Sequence, residues 1–416
     1  MTREAAYNRS MTPRTPARQP LRVAILGLGT VGGAVARALM LRGDDLVHAT
    51  GGRPIHLVAV GVRDPERRRA VEIPSAIARS ADLAAVASDP DVDVVVELVG
   101  GLEPAGDLIA EALRGGRSVV TANKAVLARR GAELEGVARQ SGASLRFEAA
   151  VGGGIPVLGP LAADLAADRW SAVTGIVNGT TNFILTAMTE GGWDYATVLA
   201  DAQARGYAES DPSGDVEGRD AADKLAILIR LAFGDWPDVG AIRRAPPAVK
   251  GDGMPGITGV TAETISAAGD LDLVIKLVAY ARRAADGVIG AVVVPVALPS
   301  DQPLARIGGV TNLVELVGEP VGRVRFSGPG AGGEATSSAV LGDLIAIARG
   351  HGSTWAGLPK AEHMLHLGDP LAEAFRWFHL LPNGGAAVTE PLMLADARLQ
   401  LAAAGVRGPL YPVVEG

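Results

Sequence analysis

An acidic stretch between Gln203 and Leu228 surrounds a lysine, and lysine is scarce in this chain. The stretch reads QARGYAESDPSGDVEGRDAADKLAIL and sets six carboxylates before Lys224: Glu209, Asp211, Asp215, Glu217, Asp220 and Asp223. Of the 39 basic residues only five are lysines, at positions 124, 224, 250, 276 and 360. A lysine ammonium gives up a proton when it is partly desolvated, whereas arginine does not. The stretch therefore indicates proton chemistry on an amine-bearing substrate, although a solvated acidic loop with an ordinary helix ion pair explains the same residues.

Two of the lysines occupy positions that favour a functional role. Asp220 and Lys224 lie four residues apart on a predicted helix, with the acid first, which is the favourable order for an ion pair. Leu228 and Leu231 continue the same helix face, so we expect Lys224 to be half buried. Lys124 stands at the start of another predicted helix, where a cation is unfavourable. That misfit favours a functional role for Lys124 over a surface one.

A glycine-rich turn near the start of the chain predicts a dinucleotide site. The run LRVAIL (21–26) reads as a strand, GLGTVGG (27–33) follows it, and residues 31–41 read as a helix. The glycines of such a turn allow the tight bend, let the backbone approach a pyrophosphate and bring the helix close to the strand. The residues expected to touch the cofactor here are Gly27, Gly29, Thr30, Val31 and Gly32.

The end of the second predicted strand favours NADP over NAD. An NAD-selective site carries an acidic residue at this point for the ribose hydroxyls. The strand at 55–62 ends instead at Arg63, which suits a 2′-phosphate, while the adjacent Asp64 leaves NAD open. The arginines at 67–69 are interpreted as a solvated helix start.

Strands and helices alternate through the first third of the chain, which predicts a doubly wound parallel sheet of the Rossmann type in an α/β protein. Ligands bind at the carboxyl ends of such strands. The predicted strand 118–121 ends at Thr121, and Lys124 follows closely, so we expect both to contact the cofactor. The pattern changes from Trp170 onwards, and strands such as 289–294 predict a second, α+β domain with a mixed or antiparallel sheet.

Composition excludes several classes of protein. A net charge of −7 and a pI near 5.5 argue against a nucleic-acid partner. Zero cysteines exclude disulfides and thiolate sites, and the six histidines lack zinc-site spacing. No apolar run is long enough to span a membrane, and the basic N-terminal segment lacks the apolar core of a secretory signal. A cytoplasmic enzyme is expected.

Two further glycine runs interrupt the pattern. VGGGIP (151–156) follows a predicted strand, and its irregular backbone suits either carbonyl coordination of an alkali cation or a domain hinge. GPGAGG (328–333) precedes a predicted helix but starts no new nucleotide-binding unit, so we expect it to pass close to a ligand or to the first domain.

Together these features predict a nicotinamide enzyme with a carboxylate-rich second domain. The carboxylates suit a substrate ammonium, and the lysines suit a substrate carboxylate or an oxygen that gains a proton during hydride transfer. The inferred substrate is a small amino acid that carries an aldehyde or an alcohol.

Eight motifs, in this order, resemble those of the homoserine dehydrogenases. They are GLGTVGG (27–33), ELVGGLEPA (97–105), VVTANKA (119–125), FEAAVGGGIP (147–156), GIVNGTTNFIL (175–185), RGYAESDPSGDVEGRDAADKL (205–225), GITGVTAE (256–263) and GPGAGGEATSSAV (328–340). The resemblance covers residues 21–350. It implies NAD(P)-linked interconversion of L-aspartate 4-semialdehyde and L-homoserine in threonine, methionine and isoleucine biosynthesis.

The resemblance also implies roles for individual residues. Lys224 would donate the proton, with Lys124 beside nicotinamide and substrate. Glu209 and Asp220 would bind the amino acid, with Asp215 close to them. Further positions are implied for the cofactor at Gly206 and Gly332, and for a monovalent cation such as Na⁺ or K⁺ at Glu148, Val151, Gly153 and Ile155. The other three carboxylates of the acidic stretch are left with structural or surface roles.

The organisation then expected is a disordered leader (1–20), an NAD(P)-binding domain (21–145), a substrate-binding and dimerisation domain (146–327), a glycine loop with a helix returning to the nucleotide domain (328–350) and an extension of unknown role (351–416). The family implies a homodimer or homotetramer. Many members end in a regulatory ACT domain, but residues 351–416 lack its strand and helix pattern and are short for one, which puts threonine feedback in doubt. Two other functions remain open: an amino-acid dehydrogenase acting at a C–N bond, and a dinucleotide-binding sensor without catalysis.

Overall fold

The computed structural model describes residues 18–355 and 357–414. Residues 1–17 of the expected leader lie outside the described residues, and residues 18–20 are exposed without regular secondary structure. Within the described residues, no helix combines the length and the apolarity that crossing a bilayer requires.

The first sheet is a six-stranded parallel sheet in the order β3-β2-β1-β4-β5-β6. Its strands are β1 (Leu21–Leu26), β2 (Ile55–Gly61), β3 (Ala78–Ser80), β4 (Val94–Glu97), β5 (Ser118–Thr121) and β6 (Leu145–Arg146). Parallel strands buried on both faces read as continuous apolar runs, and β4 (VVVE) is fully buried. The strand order reverses between β1 and β4, which is where doubly wound sheets bind ligands. The predicted Rossmann-type sheet is confirmed.

Five helices join these strands: α1 (Thr30–Leu41), α2 (Gly43–Ala49), α3 (Leu83–Ser88), α4 (Ala105–Arg114) and α5 (Lys124–Ser141). The predicted helix start at the three arginines 67–69 is wrong, because no helix forms between β2 and β3. A turn forms there instead. Asp64 Oδ1 accepts hydrogen bonds from the backbone N–H groups of Glu66 and Arg67, and the Arg69 guanidinium donates to the carbonyl oxygens of Asp64 and Arg67.

The second sheet has eight strands in the order β12-β11-β7-β9-β10-β16-β14-β15. They are β7 (Arg169–Ile176), β9 (Leu273–Arg283), β10 (Ile289–Pro299), β11 (Thr311–Glu319), β12 (Gly322–Pro329), β14 (Arg376–Leu380), β15 (Ala386–Val388) and β16 (Tyr411–Val413); β8 (Trp236–Pro237) and β13 (Met364–Leu365) form a separate pair. Among the described strands of the eight-stranded sheet, only β10 and β16 pair in parallel. The predicted mixed sheet is confirmed.

Eight further helices follow in the described residues: α6 (Leu158–Ala162), α7 (Gly179–Gly191), α8 (Tyr195–Ala204), α9 (Ser213–Val216), α10 (Arg219–Phe233), α11 (Ala262–Gly269), α12 (Gly333–Ala348) and α13 (Leu394–Ala403). Short 3₁₀ helices lie at Glu148–Ala150, Val239–Ala241 and Pro370–Ala372. Helix α12 leaves the second sheet and buries Val340 and Leu344 in one apolar cluster with Val23 and Ile25 of β1.

A buried ion pair joins α5 of the first domain to α10 of the second. Both Glu135 and Arg230 are almost fully buried, and two guanidinium nitrogens of Arg230 donate to the carboxylate at 2.7 and 2.9 Å. Burial by itself raises the pKa of Glu135, but the hydrogen bonds and charge of Arg230, with those from Trp236 and Arg139, hold that pKa below its ordinary value. The pair fixes the two helices against each other.

Glu135→Gln is expected to lower the free energy of unfolding by about 3–5 kcal/mol, because it leaves the buried Arg230 charge without its carboxylate partner. Urea or thermal unfolding measures the loss. The stabilisation should be present above pH 4.5 and be lost as the pH falls through the lowered pKa. Glu133→Gln is the matched control: Glu133 pairs with Arg130 but is 43% exposed, so a change within about 1 kcal/mol is expected. Equal losses in the two variants would contradict the prediction.

Candidate active site

Lys224 lies on a buried face of α10 and uses two of its three N–H groups within the protein. Residues 221–231 of this helix are all buried, and Lys224 is 9% exposed. Its Nζ donates to Asp220 Oδ2 at 2.7 Å and to the carbonyl oxygen of Val177 at 2.6 Å. An ammonium has three donors, so one N–H of Lys224 remains for a ligand. The half-buried position predicted for it is in fact a buried one.

Asp220 bridges the two lysines singled out in the sequence. Its Oδ2 accepts from Lys224, and its Oδ1 lies 3.3 Å from Lys124 Nζ. Burial opposes the charge on Asp220, but the two ammonium groups outweigh it and hold the pKa of the carboxyl well below its usual range. In return, Asp220 raises the pKa of Lys124. Lys124 comes from α5 and Lys224 from α10, so the constellation spans both domains.

Asn178 is a further site residue, for which no sequence pattern predicted a role. Its Oδ1 accepts from the backbone N–H of Thr181 and so caps α7. Its Nδ2 donates to Asp215 Oδ1 at 2.7 Å and to Asp220 Oδ2 at 2.8 Å. An asparagine between a strand and a helix is a recognisable cap signal, but nothing local indicated the two carboxylate contacts.

Asp215 lies close to Asn178 and Asp220, whereas Glu209 makes no hydrogen bond with these two described residues. Asp215 is partly buried, and burial, then repulsion from Asp220, raises its pKa. Glu209 lies on the exposed loop between α8 and α9, and its carboxylate makes no hydrogen bond or ion pair within the described ranges. Gly206 lies on the same loop with a positive φ of 75°.

Of the remaining carboxylates of the acidic stretch, Asp211, Glu217 and Asp223, only Asp223 lies beside the site. It is 6% exposed and accepts a hydrogen bond at 2.9 Å from Arg129 of α5. Burial raises the pKa of Asp223 despite this partner. Asp211 is exposed, and Glu217 pairs with the neighbouring Arg219. Asp223 and Arg129 therefore form a third ion pair between α5 and α10, next to that of Lys124 and Asp220.

A cavity of about 920 Å³ opens at the carboxyl ends of the first sheet. Four of the predicted cofactor residues line it: Gly27, Gly29, Thr30 and Arg63. The arginines 67–69 line it too. A Cβ on Gly27 would lie 2.5 Å from the carbonyl oxygen of Leu98, and one on Gly32 would lie 1.9 Å from that of Gly27. The turn thus requires glycine, as a dinucleotide cradle does.

The other six predicted cofactor positions lie beyond this lining: Val31, Gly32, Thr121, Lys124, Gly206 and Gly332. The loop Gly328–Gly333, called here the second glycine loop, reaches the cradle, because a Cβ on Gly333 would lie 2.8 Å from Thr30 Cγ2; Gly332 precedes that contact. Thr121 is fully buried, and its hydroxyl donates to Glu97 at 2.6 Å. No described contact joins Gly206 to the cavity.

The loop at 148–155 offers backbone oxygens rather than side chains. Burial and repulsion from Asp343 raise the pKa of Glu148 to about 6, and its carboxylate accepts three backbone N–H groups at the start of α6. Val151, Gly153 and Ile155 contribute carbonyl oxygens that accept no hydrogen bond within the described part of the chain. Across residues 18–355 and 357–414, no group of three acidic or histidine side chains is placed to hold a metal. The donor set suits a monovalent cation bound by carbonyls.

Known proteins resemble this chain over both domains. The family model described as homoserine dehydrogenase, NAD binding domain, matches residues 27–148, and the one described as homoserine dehydrogenase matches residues 156–345. A homoserine dehydrogenase of Synechocystis sp. is 44% identical over 330 residues, covering 79% of this chain and 73% of the relative.

Solved structures agree with these matches. The homoserine dehydrogenase of Thiobacillus denitrificans superposes with a TM-score of 0.85 at 31% identity, covering 95% of this chain and 98% of that one. A hyperthermophilic archaeal homoserine dehydrogenase in complex with NADPH superposes with a TM-score of 0.65 at 25% identity, covering 83% and 100%. The sequence motifs, both family models and these relatives therefore agree that the chain belongs to the homoserine dehydrogenase family of oxidoreductases.

Proposed function

We propose that the protein reduces L-aspartate 4-semialdehyde to L-homoserine, and catalyses the reverse reaction, with NADP as its preferred cofactor. The observation that carries the proposal is the Lys124–Asp220–Lys224 constellation, which joins the two domains where α5 begins after β5. The pathways supported by this assignment are threonine, methionine and isoleucine biosynthesis, and a homodimer or homotetramer remains the expected assembly.

The bound nicotinamide supplies the hydride in this proposal. The free N–H of Lys224 would donate a proton to the aldehyde oxygen, which thereby becomes a hydroxyl. Asp220 and the Val177 carbonyl fix the Lys224 ammonium. Asp220 also holds Lys124, whose side chain is 41% exposed and has donors left for the substrate. Glu209 and Asp215 would bind the substrate ammonium, and Asn178 orients Asp215.

The cofactor preference rests on the arginines of the cavity. Arg63, Arg67 and Arg68 line it, and their guanidinium groups have no hydrogen bond or ion pair inside the described ranges. Asp64 is less available to a ribose, because one of its carboxylate oxygens closes the turn. Free guanidinium groups suit a 2′-phosphate, which NADP has and NAD lacks.

Arg63→Ala is expected to raise the dissociation constant for NADPH about tenfold or more and to leave that for NADH within about twofold, because a charge-assisted hydrogen bond to phosphate is lost. Fluorescence titration with the two cofactors measures this. Arg169→Ala is the control for net charge, since Arg169 is 88% exposed at the start of β7. Equal weakening of both cofactors would argue against a 2′-phosphate role for Arg63.

For the cation, we propose that the carbonyl oxygens of Val151, Gly153 and Ile155, with that of Glu148, bind Na⁺ or K⁺. The support is that three of these buried residues have carbonyl oxygens without hydrogen bonds, which is unfavourable unless a ligand satisfies them.

The deciding experiment is an NADPH-consumption assay with L-aspartate 4-semialdehyde, repeated with NADH. Turnover with the semialdehyde and faster turnover with NADPH would support the proposal. Reduction of NADP⁺ with L-aspartate, without turnover of the semialdehyde, would support a C–N dehydrogenase instead. NADPH binding by calorimetry without turnover on any semialdehyde would support a sensor.

A further inference from the structure

Asn312 carries a buried amide without a hydrogen-bond partner. It is the second residue of β11 and is 0% exposed. Neither its Nδ2 nor its Oδ1 has a partner within the described ranges, and no other described side chain has buried polar atoms in this condition. An unsatisfied buried amide destabilises the folded state, so native proteins keep few of them. The Asn312 side chain therefore needs a partner that the described side chains and backbone do not give it.

The second glycine loop lies directly on this amide. Asn312 pairs with Gly328 in the ladder between β11 and β12. A Cβ on Gly330 would lie 1.5 Å from Asn312 Oδ1 and 2.1 Å from its Cγ. Any side chain at position 330 would therefore take the space of the amide. Gly330 is thus backbone that packs directly against the amide.

The same loop also contacts two of the loops predicted to bind ligands. Gly333 lies against Thr30 of the cradle, and the carbonyl oxygen of Gly330 lies 2.6 Å from the Cβ position of Gly153. The ladder between β11 and β7 pairs Leu313 with Ile176, next to Val177, whose carbonyl holds Lys224. Asn312 thus lies under the junction of the cofactor cradle, the carbonyl loop and the strand that supports Lys224.

We propose that Asn312 is a positioning residue of the cofactor site, whose amide hydrogen-bonds the Gly330–Ala331 peptide groups when a dinucleotide lies between the cradle and the second glycine loop. The inference rests on the proposed NADP-dependent function. A bound dinucleotide selects the loop conformation that it contacts best. The hydrogen bond gained by Asn312 in that conformation adds to the affinity and holds the loop over the cofactor.

The test replaces Asn312 by leucine, which has nearly the same shape without polar atoms. Thermal unfolding should give a Tm for Asn312→Leu at or above that of the unchanged protein, because no hydrogen bond is lost and an unsatisfied amide is removed. The dissociation constant for NADPH, from fluorescence titration, should rise about tenfold. In steady-state assays the KM for NADPH should rise while the KM for the semialdehyde stays the same. NADPH should protect the 328–333 backbone from hydrogen exchange less than in the unchanged protein.

Two further variants complete the design. Thr174→Val is the control, since it makes a buried polar side chain apolar on the neighbouring strand β7, and it should leave NADPH binding unchanged. Asn312→Ala gives a second binding measurement that introduces no new atoms.

The outcomes separate this inference from the proposed function. If the unchanged protein fails to bind NADPH, the proposed function fails. If it binds NADPH and both Asn312 variants bind within twofold of it, the inference is overturned and the function stands. If Asn312→Leu unfolds or loses several degrees in Tm, the amide already has a partner, such as an internal water, and the inference is again overturned.

Discussion

Lys224→Ala is expected to lose at least about 10³-fold in kcat for semialdehyde reduction, because it removes the group that protonates the substrate oxygen. NADPH should bind as before, since Lys224 contacts Asp220 and Val177 and does not line the dinucleotide cavity. A large loss of kcat with unchanged NADPH binding distinguishes a proton donor from a cofactor ligand. Steady-state kinetics together with NADPH titration measure both quantities.

Two matched variants sharpen this prediction. Lys224→Arg should also fail, because a guanidinium keeps its proton and its planar fork does not replace a compact ammonium. Lys250→Ala removes an exposed lysine outside the site and should leave kcat unchanged. If Lys224→Ala kept more than a tenth of the turnover, Lys224 would not be the proton donor. Lys124 would then be the remaining candidate for that role.

The first sheet was predictable because its signals are local. The buried run at 21–26, the glycine turn after it and the helix beyond it lie within about twenty residues, and each constrains the next. The helix predicted to start at the three arginines 67–69 does not form, although the contacts that replace it are also local. Asp64 and Arg69 close a turn through side-chain contacts, and such contacts leave no periodic pattern in the sequence.

In the second sheet, local sequence patterns predict strands but not how the strands pair. The sequence predicts a strand at 289–294, which lies within the observed β10 (Ile289–Pro299). It gives no indication that β16 pairs with β10 through Val413 and Ala297. That contact joins residues far apart in the chain, and its strand is only three residues long.

The site was predictable to the extent that helix spacing places side chains. The four-residue separation of Asp220 and Lys224 predicted their ion pair, which the structure contains. The backbone carbonyl of Val177, as the second acceptor for Lys224, has no sequence signature at all. Nor did the sequence distinguish Asp223 from its exposed neighbours, because its burial depends on α5 packing against α10 and on Arg129.

Asp220→Asn is expected to lower kcat/KM about 10³-fold, because it removes the charge that holds two ammonium groups in place. Asp220 lies 2.7 Å from one lysine nitrogen and 3.3 Å from the other. Without its carboxylate, the pKa of Lys124 loses the largest influence that raises it, and the nearby Lys224 charge disfavours a second ammonium. The alkaline limb of the kcat–pH profile should therefore move to lower pH.

The same substitution should cost about 3–5 kcal/mol of unfolding free energy, since Asp220 and Lys224 are both about nine-tenths buried. Asp223→Asn is the matched control. It removes a buried carboxylate three residues along the same helix, but one whose hydrogen-bonded partner is Arg129. We expect it to lower stability while kcat/KM stays within about threefold and the pH profile does not move. If both variants lost activity equally, with unshifted profiles, the lysine bridge would have no catalytic role distinct from holding α5 against α10.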